Sequence, residues 1–352
     1  MTEQTSTDMT SGDAAQLHAQ SIVVNGLAQP GHLEIAYDAM LNGGVTVTNL
    51  TVAANENFAE GVRKLEFAVQ AMEDHPRSDL LSITRNVDDI RRVHSNGGAG
   101  VMIGFQNADP IEDNLDYLSV FYRLGLRVLQ LTYQRRNLLG DGNGEPGDAG
   151  LSIFGHQVIE ECNRLGILID LSHVGYRSTM EAIDASAQPV VFSHANLHAV
   201  NPIPRNKTDD QIKALVARGG VMGITSASRL MLPTGGQEGS DLSDYLDQID
   251  YMVDLCGTDS VGIGLDISES MTQEEFIVRR ATFLTKFPEL KVGGDFPLEN
   301  YFTRDLSSAA ETPGITQGLA ERGYSATDIS KIIGGNFMRV FEATLDDPKL
   351  RS

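Results

Sequence analysis

Eight short apolar runs recur along this chain, and each is apolar on both of its faces. They are SIVVN (21–25), GVTVTNLTV (44–52), AGVMIGFQ (99–106), LRVLQLTY (126–133), ILIDLSH (167–173), PVVFSH (189–194), GVMGITS (220–226) and SVGIGLD (260–266). Strands without a polar face belong in a parallel sheet that helices cover on the outside. Helical patterns lie between the runs: NFAEGVRKLEFAVQAMEDH, DDQIKALVARGG and LSDYLDQIDYMVDLCG, the last two stopping at glycine. Eight β-then-α units in 352 residues predict an α/β protein with a (β/α)8 barrel of TIM type. The alternative, an open doubly wound sheet, favours a glycine-rich phosphate turn after its first strand, and VVNGLAQPGH contains no GxGxxG.

Residues 1–15 read as a disordered arm and 16–352 as one barrel domain with closing C-terminal helices. The stretch 268–313 lacks clear periodicity and holds aromatics, Pro and Gly. It is expected to cover the barrel mouth or to form an oligomer contact. With 48 acidic against 27 basic side chains the formal charge is −21, which argues against nucleic acid or an anionic membrane as partner. Cys162 and Cys256 have no CxxC spacing, so neither a disulfide framework nor a zinc knuckle is implied and a reducing compartment fits. The polar start MTEQTSTDMTSGDAAQ has no apolar signal segment, and no run of ~18 apolar residues exists to span a membrane. A cytoplasmic, soluble protein is expected.

A barrel of this kind carries its chemistry at the C-terminal ends of its strands. The residues there are Asn25, Thr51, Gln106 with Asn107, Tyr133, His173, His194, Thr225 and Asp266, an unusually polar set for the ends of such apolar runs. Neighbouring parallel strands lie ~4.8 Å apart, so His173 and His194 are placed to share one ion at ~2.1 Å from each. The plainer alternative is a pair of core histidines bonded to backbone. His18, His32, His75 and His94 read as surface residues, His156 as a helix residue and His198 as a loop residue. Asp266 ends an apolar run, where a carboxylate is costly unless paired or bound to metal; it is a candidate ligand or general base, or else a helix cap. Arg205 is placed to hold a substrate carboxylate in bidentate fashion, although a lone loop arginine is usually just solvated.

FYRLGLRVLQLTYQRRN, GLSIFGHQVIEECNRLGILIDLSHVG, PVVFSHANLHAVNPIPRNKTDDQIKALVARGGVMGI, VGIGLD and GLAERGYSATDISKIIGGNFMRVFEA together resemble the renal or membrane dipeptidase family, peptidase family M19. The resemblance covers about residues 20–345 and implies a zinc enzyme on a (β/α)8 barrel, in homodimeric form. It assigns zinc-binding roles to His173 and His194, the eighth-strand aspartate to Asp266 and the substrate-binding arginine to Arg205. The family's oxyanion-stabilising histidine falls on Tyr133, whose hydroxyl still donates a hydrogen bond. Other positions depart from the pattern. Leu27 and Gln29 stand where a His-x-Asp binds the first zinc, and Gln106 replaces the bridging glutamate. Leucine cannot ligate, and a neutral amide is a poor zinc ligand.

One zinc per chain, or none, is therefore expected, with His173, His194 and Asp266 as ligands. The expected function is hydrolysis of a C–N bond in a small carboxylate-bearing substrate, with Asp266 and Tyr133 catalytic and Arg205, Gln106 and Asn107 binding substrate. Ordinary dipeptides are expected to be poor substrates. Two alternatives stay open: a metal-independent lyase, isomerase or tautomerase on the same barrel, and a non-catalytic relative.

Overall fold

Valine, isoleucine and leucine at successive positions leave a strand no side for water. The structure, a computed structural model, describes residues 9–233, 238–288 and 297–346. Its strands are β1 (Val24–Ala28), β2 (Val47–Ala53), β3 (Leu81–Ile83), β4 (Ala99–Phe105), β5 (Leu126–Gln130), β6 (Leu168–Asp170), β7 (Val191–Ala195), β8 (Val221–Ile224) and β9 (Val261–Ile263). All pair in parallel, in the order β2-β1-β9-β8-β7-β6-β5-β4, and β2 pairs with β4 to close the ring. The fold is thus a closed eight-stranded (β/α)8 barrel. The extra strand β3 pairs with the first residues of β4 along the edge that β5 takes over from Ile103 onward.

Several strands stop short of the polar residues that end the sequence runs. β5 ends at Gln130, β6 at Asp170 and β9 at Ile263, so Tyr133, His173 and Asp266 stand on the loops just above the barrel rim. The opposite end is shut. Helix Asn336–Leu345 sets Phe337, Val340 and Phe341 among Val24, Val128, Leu168, Val191 and Val221 near the strand starts. Nearer the rim, backbone itself fills the ring: a Cβ on Gly26, Gly223 or Gly264 would collide with the Ser193 carbonyl oxygen. Glycine at these positions lets β7 lean across the barrel toward β1, β8 and β9.

The amino-terminal expectation is corrected from Ser11 onward. Residues 1–8 lie outside the described residues, but Ser11–Gln20 is a helix, started by a reciprocal capping box between Thr10 and Asp13. His18 on this helix is buried rather than on the surface. Its Nε2 donates to Gly43 O at 2.8 Å and its Nδ1 takes the Thr316 hydroxyl at 2.7 Å. His75 is also buried, with Nδ1 accepting from Arg77 N at 3.1 Å. His32 is exposed and paired with Glu275 at 3.0 Å, and His156 is exposed on helix Ile153–Leu165. Both cysteines are free. Within 268–313, residues Gln273–Lys286 form a helix, while 289–296 lie outside the described residues.

Burial holds the His18 imidazole below its ordinary pKa, because charging it there forfeits hydration. The unfolded chain then binds more protons than the folded one below about pH 6.5, so this residue removes stability as pH falls. His18→Gln keeps a donor and an acceptor without a charge to gain. Between roughly pH 7.5 and 5.5 the variant's urea midpoint is expected to change less steeply than wild type, the difference approaching ~1.4 kcal/mol per pH unit at most. Parallel slopes in the two proteins would refute this role.

Candidate functional site

A buried carboxylate survives only when donors surround it. Asp170, at the end of β6, is 1% exposed and gathers four. Oδ1 accepts from Ser172 N at 3.0 Å, Ser172 Oγ at 2.6 Å and Ser193 N at 3.0 Å, while Oδ2 accepts from Ser193 Oγ at 2.5 Å. Ser172 Oγ in turn accepts from His194 N at 3.1 Å. The repeated Ser-His pairs at 172–173 and 193–194 are therefore one construction, in which the serines clasp Asp170 and the histidines project beside them.

The clasp also fixes a tautomer. Ser193 Oγ spends its only proton on Asp170, so at 2.7 Å from His194 Nδ1 it accepts, and His194 carries its proton on Nδ1. The Nε2 lone pair of His194 then faces His173 Nε2 at 3.0 Å and Gln106 Nε2 at 3.4 Å. His173 Nδ1 lies 3.1 Å from the Gln134 amide. Burial holds both imidazoles well below the ordinary histidine pKa, and the Arg205 and Lys207 cations add to the effect. The pair is neutral.

Arg205 and Lys207 secure the loops from beneath. Arg205 Nη1 donates to Ser172 O at 2.8 Å and Nη2 to His194 O at 2.7 Å, while Lys207 Nζ donates to Leu171 O at 2.9 Å and Val174 O at 3.1 Å. Burial lowers the Arg205 pKa to about 10. Its Nε is buried without a partner, on a residue that lines the cavity at the mouth.

Asp266 sits across from the histidines in the left-handed region, at φ 59°. Its backbone N donates to Leu27 O at 3.0 Å, and its Oδ1 takes the Gln29 amide at 2.7 Å. Burial raises its pKa, against the pull of Gln29, Arg205, Arg229 and Arg279. Tyr133 stacks on His173 with ring centroids 4.4 Å apart, and burial raises its pKa, so its hydroxyl keeps a proton to donate. Gln29, Gln106, Tyr133, His173, Arg205 and Asp266 share one cavity of about 90 Å³, walled on the far side by helix Gln273–Lys286. His194 lies behind His173, fully buried. Asn107 does not line the cavity; its Oδ1 holds Asn137 Nδ2 at 2.8 Å and Ala108 N at 2.9 Å, a loop-building role.

Among the described residues, no three His, Cys, Asp or Glu side chains gather as metal ligands. His173 and His194 converge, and Asp266 Oδ1 takes the Gln29 amide. Leu27 is packed in the core. Two imidazole nitrogens with the Gln106 amide beside them fit one ion, and the donor set does not fit two. For both Nε2 lone pairs to face one ion, His173 must carry its proton on Nδ1, with Gln134 turned to present its oxygen. Asp170, Gln134, Arg229 and Arg279 were not among the sequence candidates. For Asp170 a signal existed: a carboxylate inside the apolar run ILIDL.

The chain matches the family described as membrane dipeptidase (peptidase family M19) over residues 5–276 and 289–349. Dipeptidase verJ of Clonostachys rogersoniana is 29% identical over 268 residues, 76% of this chain and 61% of that protein. Dipeptidase tcpJ of Claviceps purpurea is 25% identical over 76% of this chain and 56% of its own length. The chain thus spans about three-fifths or less of these relatives. Among solved structures, an amidohydrolase from Pseudomonas aeruginosa is 32% identical with a TM-score of 0.85, covering 95% of this chain and 99% of that one. A metallo peptidase from Rhodobacter sphaeroides, liganded with a phosphinate mimic of L-Ala-D-Ala, shares the fold at 20% identity and a TM-score of 0.74, covering 92% and 99%.

Asp170→Ala would strand four buried donors. A stability loss of about 3 kcal/mol or more is expected in urea unfolding, with Asp170→Asn losing less because it keeps an acceptor oxygen. An Asp170→Ala protein as stable as wild type would show that the clasp is not what holds the rim.

Proposed function

This chain belongs to the membrane dipeptidase family, peptidase family M19, and on that premise we propose that it hydrolyses an amide-type C–N bond in a small carboxylate-bearing substrate, using at most one metal ion. The observation that carries the reading is the shared cavity, where Asp266, Tyr133 and Arg205 surround the cavity-lining member of a neutral histidine pair. Arg205 presents its unpartnered Nε to a substrate carboxylate. Asp266, made more basic by burial, accepts the proton of the attacking water and returns it to the leaving amine. Tyr133 donates its hydroxyl proton as a hydrogen bond to the oxygen on which charge develops. His173 and His194, with Gln106 beside them, would hold the ion, which supplies Lewis acidity toward the carbonyl. The comparisons favour neither the lyase, isomerase or tautomerase reading nor the non-catalytic one.

Zinc is the ion that two imidazoles suit best among the common ones. The acidic surface and the two free cysteines support a cytoplasmic location, and no helix among the described residues is long and apolar enough to cross a membrane. A homodimer is part of the proposal on family likeness, and light scattering at micromolar concentration tests it.

Elemental analysis of untreated protein is expected to give no more than one metal per chain, falling to none in the His173→Ala/His194→Ala double variant. Restoring Leu27→His, Gln29→Asp and Gln106→Glu together should raise the content toward two, since a second dication needs carboxylates to offset its charge. Two ions in the unmodified protein would overturn the one-ion reading. For the chemistry, Asp266→Asn is expected to lower kcat on an N-acyl amino acid by about 10²–10⁴-fold with KM little changed. Unchanged turnover would remove Asp266 as the base.

A further inference from the structure

The cavity wall contradicts the charge of the rest of the molecule. The chain carries a formal −21. Yet the side chains around this cavity include Arg205, Arg229, Arg279 and Arg280 against a single carboxylate, Asp266. That carboxylate is attracted by Arg205, Arg229 and Arg279 together, and one negative charge cannot offset three cations. Arg205 is tied to two backbone carbonyls. Arg229, half-buried on the short helix Ser228–Met231, makes no ion pair and no side-chain hydrogen bond among the described residues. Arg279, exposed at the rim, touches the neutral Ser268 hydroxyl at 3.0 Å.

We propose that Arg229 and Arg279 form a second anion subsite facing Arg205 across the cavity, and that the substrate is a dicarboxylate rather than a monocarboxylate. This deepens the hydrolase reading and rests on it for the role of Arg205. One substrate carboxylate accounts for Arg205, and a second is what Arg229 and Arg279 lack. Phe276, Arg279 and Phe283 lie on one face of helix Gln273–Lys286, three and four residues apart, and all three line the cavity. The phenyl rings lower the local polarity around the cations, so an anion bound there interacts more strongly than it would in water. Guanidinium planes also match carboxylates with paired hydrogen bonds.

Residues 277–288, which carry Arg279 and Phe283, fall between the two stretches that match the family, while Arg229 lies within the first of them. A solvated arginine rim is the competing account. It explains Arg279 alone, but not its pairing with a half-buried Arg229 over a cavity holding one acid.

Binding separates the two accounts without requiring turnover. N-acetyl-glutamate and N-acetyl-glutamine, each as both enantiomers, share an α-carboxylate and an acetamide and differ only in the second carboxylate. Titration calorimetry on the intact protein is expected to show one N-acetyl-glutamate enantiomer binding about tenfold or more tighter than its glutamine counterpart, about 1.4 kcal/mol. Added salt should shrink the preference. In the Arg229→Met/Arg279→Met variant, the preference should fall below about threefold while N-acetyl-glutamine binds as before, and Arg229→Lys alone should keep part of it. Equal binding of the two compounds, no binding of either, or a preference that survives the double substitution would each overturn the subsite. A protein that shows the preference yet hydrolyses no acyl amino acid would leave the subsite standing and defeat the hydrolase reading instead.

Discussion

The buried charge of Asp170 is the constraint on which the site depends. A carboxylate removed from water must be fully bonded, and here all four of its donors come from just two residues, Ser172 and Ser193. Satisfying it bends the chain after β6 and fixes β7 beside it. It also orders the proton on His194 and leaves the Ser172 and His194 carbonyls turned toward Arg205. The imidazoles, the guanidinium and the rim loops are thus held by one chain of bonds, anchored below the cavity and out of reach of solvent. The glycines at 26, 223 and 264 make this possible by leaving room for the Ser193 carbonyl.

Electrostatics at the mouth follow from neutral amides set among arginines. Gln29 donates to Asp266, so the two neighbours hold each other in place. Gln106 points its amide at His194, a contact open to a neutral side chain without an ion between them. Burial keeps the histidines unprotonated, and the Arg205 and Lys207 cations add to it.

Much of the barrel was legible in the sequence because parallel strands covered on both sides have a signature that needs no context: apolar residues at every position. β3 escaped because three residues, LSI, are too few to show any period. His18 and His75 looked like surface residues because their sequence neighbours are polar, and the atoms that bury them come from far along the chain, such as Thr316 against His18. His173, His194, Arg205, Tyr133 and Asp266 could be placed by strand ends and family likeness, whereas Asp170 could not be valued until its four donors were seen. The helix Gln273–Lys286 was hidden because the face it turns inward alternates phenylalanine with arginine, which reads as neither a core stripe nor a solvent face.

That helix has a consequence for how such a protein changes over time. It contributes nothing to closing the ring, whose pairings run from β2 through β9 and back without it. It meets the rest of the mouth through the buried Phe276 against Tyr301 and through polar contacts at its edge, His32 with Glu275 and Ser268 with Arg279. The wall of the cavity and the ring beneath it are therefore built by different parts of the chain. Substitutions along the inward face of the helix can reshape that wall while the Asp170 clasp goes on folding as before, which makes this segment a natural graft point for evolution or for a designer.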